Sequence, residues 1–363
     1  MKKYSESPVP CDILLVEAGG HVGYQVMRSL ARHGLRVCIC DTSDSGMSFV
    51  SKYAADSFVC PDPVRDSPGY VRRIAAEAAS RGVRAVLPIF HPEVLSRARK
   101  MLPDGVILLA ETPDKIAVLD DKVKASALAA SLGIRQPRIY EDLSEIGSWP
   151  VVFKRAEGLA GSGVYFPKNR KALDNLMRTA KSSLVMEYID GYDCSVDALR
   201  WGGKFVAGAY RVKEPQGKGF SIVRESLDAQ ELLRVSKLLL ESIDYNGLCG
   251  IDFRISYDSG VAYFLECNPR FSGGVGAQLV SGFDLPWLLW SVAIDGVSLD
   301  GIQDIAFRGQ TTESLSSAIV YMKRHYRKDA GLGECLRLLC PLGKHFDDVD
   351  LTDFRSLVRV LGL

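Results

Sequence analysis

The sequence lacks the features that mark membrane, secreted and nucleic-acid-binding proteins. It contains no run of about 18 apolar residues, so a membrane-spanning helix is not expected. Residues 1–10 are polar and lack the apolar core of a secretory signal. The formal net charge is only +1 over 363 residues, which gives no global field that would attract nucleic acid or a membrane. These absences predict a cytoplasmic protein with no nucleic-acid or membrane partner.

Motifs for several common catalytic and metal sites are also missing. The nine cysteines include no Cys-x-x-Cys pair, so no zinc site is expected, and the thiols are predicted to be reduced and structural. No Gly-x-Ser-x-Gly turn of a serine hydrolase occurs. No Gly-Lys-Ser/Thr phosphate loop occurs either. The sequence therefore excludes the simplest hydrolase and P-loop interpretations.

The first third of the chain alternates short apolar runs with helical patterns. Apolar runs at residues 12–16 and 36–40 are followed by helix-like segments such as 67–81. This alternation predicts a parallel sheet with helices on both faces. A glycine-rich turn, residues 19–23, follows the first apolar run. Together these features predict a Rossmann-like domain over residues 1–113.

The glycine-rich turn leaves two interpretations open. Its spacing matches two of the three glycines of the dinucleotide fingerprint, and Asp41 lies about 20 residues beyond, where a ribose-binding acid is expected. An NAD-dependent oxidoreductase is therefore one alternative. In the other, the turn faces a substrate, with Gly20 and His21 as candidate contacts. His91 and Glu93 also lie near predicted strand ends, where open sheets bind ligands, with turn or capping roles as the alternative.

From residue 114 the pattern changes. Residues 114–132 are predicted to form one long amphipathic helix that Gly133 ends. An apolar strand at 151–154 leads into a glycine-rich loop. Two later apolar runs, 250–257 and 261–267, surround an Asp-Ser-Gly turn and predict a β-hairpin. This part of the chain therefore has antiparallel character, unlike the first third.

The predicted hairpin carries a group of polar side chains on one face. Asp252 and Glu266 can lie side by side in an antiparallel pair, and Asn268 follows Glu266 on the same face because side chains alternate. Two carboxylates and an amide oxygen are ligands that Mg²⁺ prefers. Arg270 continues this face with a guanidinium fork suited to a phosphoryl or acyl-phosphate group. The alternative is a half-polar strand with a surface glutamate and an Asn-Pro turn.

Two lysines precede the hairpin in the sequence. Lys154 ends the apolar strand before the loop at residues 158–163, whose glycines would let main-chain N–H groups approach a phosphate closely. Lys122 lies on the predicted long helix. Seen singly, the loop indicates a flexible hairpin tip, and Lys122 a solvated helix position.

Taken in chain order, these motifs resemble the ATP-grasp superfamily, which includes D-alanine–D-alanine ligase, biotin carboxylase and the large subunit of carbamoyl-phosphate synthetase. The resemblance covers roughly residues 114–300. The matching motifs are Asp121-Lys122, Gly133-Ile-x-x-Pro137, Val151-Val-x-Lys154 with its glycine loop, Met186-Glu187-Tyr-Ile-x-Gly191, Asp252, and Glu266-x-Asn268-Pro-Arg270.

The resemblance implies a mixed α/β and α+β architecture. A Rossmann-like N-terminal domain, residues 1–113, would precede a two-lobed ATP-grasp domain, residues 114–300. A lid lobe would span about 123–189 and a metal-binding lobe about 190–300. Residues 301–363 would form a C-terminal extension whose role the sequence leaves open.

The resemblance also implies roles for the matching residues. Lys122 and Lys154 would contact the phosphates of ATP, and Lys154 and Arg270 would act in catalysis. The metal ligands for Mg²⁺, or alternatively Mn²⁺, would be Asp252, Glu266 and Asn268. The remaining implied nucleotide contacts are Gly158, Gly161, Ser162, Gly163, Glu187, Tyr188, Ile189 and Asp193.

The acceptor pocket is less well defined by the motifs. By resemblance, Arg211 and Lys213 would line it, with a loose basic surface loop as the alternative. The chain also departs from the family pattern in three places. Arg155 stands where many members have proline, the loop reads Gly161-Ser162-Gly163 rather than Gly-Ser-x-Gly, and Asp193 replaces the usual glutamate.

The implied activity is an ADP-forming carbon–nitrogen ligation. A carboxylate would attack the γ-phosphate of ATP to give an acyl phosphate, and an amine, from an amino acid or an amino sugar, would then displace phosphate. A catalytically inactive ATP-binding regulatory protein is the alternative within the same family, and the NAD-dependent oxidoreductase is the alternative outside it. A homodimer is one open oligomeric state.

Overall fold

The computed structural model describes residues 8–155, 163–180, 183–213, 222–302, 310–326, 328, 331–340 and 345–361. These residues form three β-sheets with flanking helices, as the mixed α/β and α+β prediction required. None of the helices in these ranges is both long and apolar enough to cross a membrane.

The N-terminal region contains a five-stranded parallel sheet. Its elements are β1 (Ile13–Val16), α1 (His21–Arg32), β2 (Val37–Asp41), β3 (Ala54–Val59), α2 (Ser67–Arg81), β4 (Ala85–Pro88), α3 (Pro92–Arg97) and β5 (Ile107–Leu108). The strand order is β3-β2-β1-β4-β5. The central strands β1 and β4 are buried throughout, as expected for parallel strands covered on both faces. The strand order reverses between β1 and β4, which is where doubly wound sheets bind ligands.

Two short helices replace the single helix predicted for residues 114–132, so that prediction was wrong. The helices are α4 (Pro113–Asp120) and α5 (Lys122–Ser131). Asp121 between them has an extended backbone, and its carboxylate accepts hydrogen bonds from the N–H groups of Val123 and Lys124. This side chain offers the backbone a helix N-cap in place of a continuous helix. The break places Lys122 at the start of α5.

A small antiparallel sheet follows. It contains β6 (Val151–Arg155), β7 (Val164–Tyr165) and β8 (Ser183–Glu187) in the order β7-β6-β8, and α6 (Arg170–Met177) packs on it. Its core is small and separate, with Phe153, Leu173 and Val185 at its centre.

The third sheet is large and mainly antiparallel. It begins with β9 (Gly191–Trp201), β10 (Lys204–Lys213), β11 (Val223–Leu227), β12 (Gly247–Ser256) and β13 (Ala262–Asn268), with the helices α7 (Gln230–Ser242), α8 (Val275–Val280) and α9 (Leu285–Ala293). One face packs against α5 and α7 around Val196 and Phe253. Helix α9 contacts both β9 and α1, and so joins the large sheet to the parallel sheet around Trp290.

The C-terminal region extends this large sheet. It contains β14 (Thr311–Glu313), α10 (Leu315–His325), α11 (Leu332–Leu339), β15 (His345–Phe346) and α12 (Phe354–Leu361). The sheet order becomes β13-β12-β9-β10-β11-β14-β15. Residues 345–353, called here the return segment, then reach back to α1, where Arg28 donates to the carbonyls of Asp347 and Val349 at 3.1 and 3.0 Å. The C-terminal region therefore ties the large sheet to the parallel sheet.

Candidate functional site

The hairpin of β12 and β13 brings the predicted metal ligands together. Asp252 lies directly opposite Glu266 in the strand register, and the Asn268 amide nitrogen donates to Asp252 Oδ2 at 3.2 Å. Burial and the neighbouring Glu266 raise the pKa of Asp252 to about 7, although the Ser195 hydroxyl donates to it. Two adjacent carboxylates repel each other, and a divalent cation between them removes that repulsion. The donor set of two carboxylates and an amide therefore fits Mg²⁺.

Two lysines from other elements converge on the same hairpin. Lys154, at 6% exposure, lies one residue before the end of β6 and directs its Nζ to the carbonyl of Leu265 at 3.5 Å. Burial lowers the pKa of Lys154, and the nearby Glu266 opposes that shift. Lys122 Nζ lies 3.9 Å from Glu266 Oε2. The structure thus places two ammonium groups beside the paired carboxylates, where they can neutralise phosphate oxygens.

Arg270 connects the hairpin to the parallel sheet. Its Nη2 donates to Asn268 Oδ1 at 3.0 Å, and its guanidinium carbon lies 5.4 Å from the centre of the Phe90 ring. Phe90 follows β4 at the reversal point of the parallel sheet. The end of the hairpin therefore faces the position where that sheet is expected to bind a ligand.

A Glu–His pair lies at this reversal point. Glu17 follows β1 with φ of 59°, and His91 follows β4 with φ of 42°, so both residues have left-handed backbones that are rare for such side chains. Glu17 Oε1 lies 2.7 Å from His91 Nδ1, and this bond raises the pKa of His91. Although His91 precedes α3, its side chain makes no capping bond to that helix. Strained residues of this kind cluster at functional sites.

Sequence reasoning named His91 but missed Glu17. The available signal was a charged side chain immediately after a fully buried apolar strand. This signal was not decisive, because a charged residue at that position is also typical of an ordinary turn. Only the pairing of β1 with β4 shows that the two residues meet.

The glycine-rich turn opens helix α1. Gly20 is the N-cap residue of α1 without a side-chain cap, and His21 is the first helical residue. Asp41, the possible ribose ligand, instead accepts hydrogen bonds from the main-chain N–H groups of Gly19 at 2.8 Å and Thr42 at 2.6 Å. Its carboxylate stabilises the turn, so the acid of the dinucleotide pattern has a structural role here.

The predicted adenine and ribose residues lie near one another. Glu187 ends β8, Tyr188 and Ile189 follow it, and Asp193 lies on β9. Arg254 joins them, because its Nε donates to the Ile189 carbonyl at 2.6 Å and its Nη1 to Asp193 Oδ1 at 2.7 Å. Sequence reasoning missed Arg254, since nothing in its spacing distinguishes it from other strand arginines.

Part of the predicted phosphate loop lies outside the described residues. Gly158, Gly161 and Ser162 belong to that part. Gly163 is described, with φ of 94°, and its carbonyl accepts a hydrogen bond from the Arg155 N–H at 2.9 Å.

The structure does not bring Arg211 to the hairpin. Its guanidinium carbon lies 3.9 Å from the centre of the Tyr192 ring. Arg211 pairs with Cys194 in the strand register, so both side chains lie on the sheet face opposite Ser195 and Asp252. Strand alternation therefore places Arg211 away from the hairpin group, and its role at a substrate pocket stays a prediction. Lys213 ends β10, and its side chain is outside the described set.

Behind the hairpin lies a buried polar network that the sequence did not suggest. Asp197, at 3% exposure, accepts a hydrogen bond from Gln278 at 3.3 Å, and its other carboxylate oxygen has no partner among the described residues. Burial raises the pKa of Asp197 to about 6. Tyr210, on the same face, hydrogen-bonds Ser272 at 2.9 Å. These groups extend the polar face of the sheet beyond the hairpin.

Comparison with known proteins finds similarity to ATP-grasp proteins. A sequence model of the family described as "ATP-grasp in the biosynthetic pathway with Ter operon" matches residues 179–309. D-alanine–D-alanine ligase of Fusobacterium nucleatum subsp. nucleatum is 25% identical over 198 residues, which cover 51% of this chain and 63% of the ligase. The chain is similar to ATP-grasp proteins over residues 179–309, which the family model matches, and over about half of its length to this ligase. It spans less than two thirds of the length of that ligase.

Solved ATP-grasp structures share the fold. Biotin carboxylase of Campylobacter jejuni, solved as a beta-gamma-ATP complex, has a TM-score of 0.69 at 18% identity, covering 82% of this chain and 74% of that one. L-amino acid ligase of Bacillus licheniformis has a TM-score of 0.62 at 16% identity, covering 78% and 74%. At these identities the likeness establishes the fold alone.

Proposed function

We propose that this ATP-grasp chain is an ATP- and Mg²⁺-dependent ligase that joins a carboxylate to an amine and releases ADP and phosphate. The observation that carries the proposal is the hairpin face, where Asp252, Glu266 and Asn268 converge with Arg270 beside it. One relative supports the same class, because D-alanine–D-alanine ligase is named for joining amino acids.

Each part of the hairpin has a chemical task in this proposal. Asp252, Glu266 and Asn268 would hold Mg²⁺, which neutralises phosphate charge when bound. Lys154 and Lys122 would contact the phosphates as point charges on the same side. Together these groups supply the positioning and charge stabilisation that phosphoryl transfer requires.

The nucleotide base and ribose would lie along the segment from Glu187 to Ile189 and against Asp193. Arg254 would act as a positioning residue, because it already fixes the Ile189 carbonyl and the Asp193 carboxylate. Gly163 would contact the phosphates.

The reaction would take place where the hairpin meets the parallel sheet. A substrate carboxylate oxygen attacks the γ-phosphorus and ADP leaves, which gives an acyl phosphate. An amine nitrogen then attacks the acyl carbon, phosphate leaves, and the nitrogen loses a proton. Arg270 would stabilise the transferring phosphoryl group, and the acidic Glu17 beside His91 is suited to hold a cationic substrate group such as an ammonium.

The test is ATP turnover with Mg²⁺ across pairs of amino acids, hydroxy acids and amino sugars, with ADP, AMP and phosphate measured separately. We expect ADP and phosphate to form only when a carboxylate and an amine are both present. AMP would indicate an adenylating mechanism and contradict the acyl-phosphate step. ATP binding without substrate-stimulated turnover would favour the inactive regulatory alternative, and NAD binding without ATP binding would favour the oxidoreductase.

A further inference from the structure

Helix α12 is attached to the rest of the protein through one of its faces. The Ser356 hydroxyl is buried there and donates to the Met47 carbonyl at 3.0 Å. Leu357 and Val360 extend this face and pack in the apolar cluster around Ile319. These contacts fix the orientation of α12 and so decide which of its side chains point outward.

The outward face of α12 carries apolar residues. Phe354 and Leu361 are 70% and 40% exposed, and Val358 between them is half-buried. Because these positions are four and three residues apart, they share one face of the helix. Leu351, just before the helix, is 75% exposed. Leu351, Phe354, Val358 and Leu361 are called here the apolar stripe.

Three cations lie beside the apolar stripe. Arg355 and Arg359 are exposed on α12, and each follows a member of the stripe by one residue, which is about 100° around the helix. Lys52, also exposed, joins them because its Nζ donates to the Thr352 hydroxyl at 2.7 Å. Among the described residues, no carboxylate forms an ion pair with any of these three cations.

The acids nearby do not neutralise this positive charge. Asp350 is already paired with Arg32 at 2.6 Å. Asp44 is exposed next to Ser45, whose carbonyl accepts a hydrogen bond from Arg359 at 3.2 Å. One exposed acid against three cations leaves the surface beside the apolar stripe positively charged.

A second copy of the chain fits this surface poorly. Four apolar side chains cannot supply the roughly 800 Å² per partner that a specific protein interface buries. An antiparallel pair of α12 helices would also place both arginine rows on the same side, where like charges repel. Leu351 and Phe354 protrude, whereas helical peptides are bound in grooves whose walls would shield such side chains. Protruding apolar side chains flanked by cations are instead typical of surfaces that enter a lipid interface.

We propose that the apolar stripe and its three cations dock this protein on a membrane surface that contains anionic lipids. The stripe would enter the boundary between headgroups and acyl chains, and the cations would contact lipid phosphates. The net charge of +1 predicts no membrane attraction for the chain as a whole, but this docking depends on one local surface. The inference goes beyond the proposed function and does not rest on it.

The test is co-sedimentation of the full chain with sucrose-loaded vesicles. One set of vesicles contains phosphatidylcholine alone, and the other contains equal parts of phosphatidylcholine and phosphatidylglycerol. We expect binding to the anionic vesicles and much weaker binding to the neutral ones. Added salt should weaken the binding, because it screens the attraction between the cations and the lipid phosphates.

Two variants separate the contributions of the stripe and of the cations. Phe354→Ser should weaken binding about tenfold or more, since a large apolar side chain no longer leaves water. Arg355→Gln should weaken it about fivefold, as expected for the loss of one cation at an anionic surface. Val64→Ser and Arg65→Gln are the matched controls, because both residues are exposed in the loop before α2 and lie outside the stripe. The four side chains are all exposed, so each variant should keep the wild-type melting temperature.

A fluorescence measurement reports insertion directly. The emission of Phe354→Trp should shift to shorter wavelength when anionic vesicles are added, because the new indole leaves water. Val64→Trp is the control and should show no shift. An unshifted emission from Phe354→Trp would contradict insertion of the stripe.

Equal binding to both kinds of vesicle, or binding to neither, would overturn the proposal. So would binding that Phe354→Ser leaves unchanged. Wild-type dimers that Phe354→Ser dissociates, measured by light scattering without vesicles, would show that a second copy covers the stripe instead. Because none of these measurements uses ATP or turnover, their outcome is independent of the turnover test of the proposed function.

Discussion

The two sheets that face each other at the site present their polar groups in different ways. In the parallel sheet, β1 and β4 are apolar along their length, and the polar side chains Glu17 and His91 come only after the strands end. In the antiparallel sheet, Asp252 and Glu266 lie within the strands and alternate with core residues such as Phe253. The parallel sheet therefore presents its polar groups in the loops after its strands, and the antiparallel sheet presents them on one of its faces.

This difference has an energetic consequence in each sheet. In the parallel sheet the cost is backbone strain at two residues with positive φ. In the antiparallel sheet the cost is charge burial, which raises the pKa values of Asp197 and Asp252 to about 6 and about 7. We expect the antiparallel face to serve the nucleotide and metal and the strand-end loops to serve the other substrate.

The largest loss of ATP turnover is expected for a substitution on the face of the antiparallel sheet. Glu266→Ala removes one of two carboxylates that would hold Mg²⁺ and should lower ATP turnover by about 10³-fold or more, at the upper end of losses seen for single stabilising groups. Initial rates of ADP formation measure it. Asp258→Ala, in the exposed turn of the same hairpin, is the control. Near-normal ATP hydrolysis in Glu266→Ala would contradict the site assignment.

Replacing the buried Asp197 should change the free energy of unfolding. Its folded-state pKa of about 6 lies above its ordinary value of 3.8, so the folded protein binds more protons, and the free energy of unfolding falls as pH rises from about 4 to 6. Asp197→Asn removes this penalty and should raise the free energy of unfolding by up to about 3 kcal/mol at pH 8.

Urea unfolding at pH 8 and at pH 5 tests this expectation. The gain should be smaller at pH 5, where the wild-type carboxyl is already largely protonated in the fold. A gain that is the same at both pH values would show that packing, and not charge burial, causes it.

A smaller effect, on the KM of one substrate, is expected for a substitution at the strand ends of the parallel sheet. Glu17→Gln should raise the KM of the amine or amino acid substrate by about tenfold, because it removes the charge that would hold a cationic group. The KM of ATP should change little. Steady-state kinetics with each substrate varied in turn measures both. A rise in the KM of ATP alone would break the proposed division between the two sheets.

The smallest expected effect is a change in the pKa of His91. The bond from Glu17 raises the pKa of His91 above its ordinary value, so His91 keeps its proton to higher pH than a free histidine. Glu17→Gln should lower the pKa of His91, which an NMR titration of the imidazole protons would report. An unchanged pKa would mean that the two side chains do not pair in solution.

The same contrast explains how much the sequence could predict. The grouping of polar side chains on the hairpin could be predicted because alternation within a strand fixes which side chains share a face, as Glu266 and Asn268 do. The sheet face of Arg211 could not be predicted, since it depends on the strand register. The helix break at Asp121 was missed because a local cap outweighed a continuous helical pattern.

Other features could not be predicted because they depend on distant parts of the chain. Glu17 meets His91 only through the order of the parallel strands. The Arg224–Asp347 pair joins residues 123 positions apart across the added strand β14. No local pattern encodes such contacts, which arise from sheet topology.

The most direct test of the central claim is a crystal structure of the protein with MgADP. We predict that Mg²⁺ lies about 2.0–2.1 Å from oxygen atoms of Asp252, Glu266 and Asn268, with phosphate oxygens beside Lys154. A nucleotide bound instead at the glycine-rich turn of residues 19–23, or a metal held by other residues, would contradict the account.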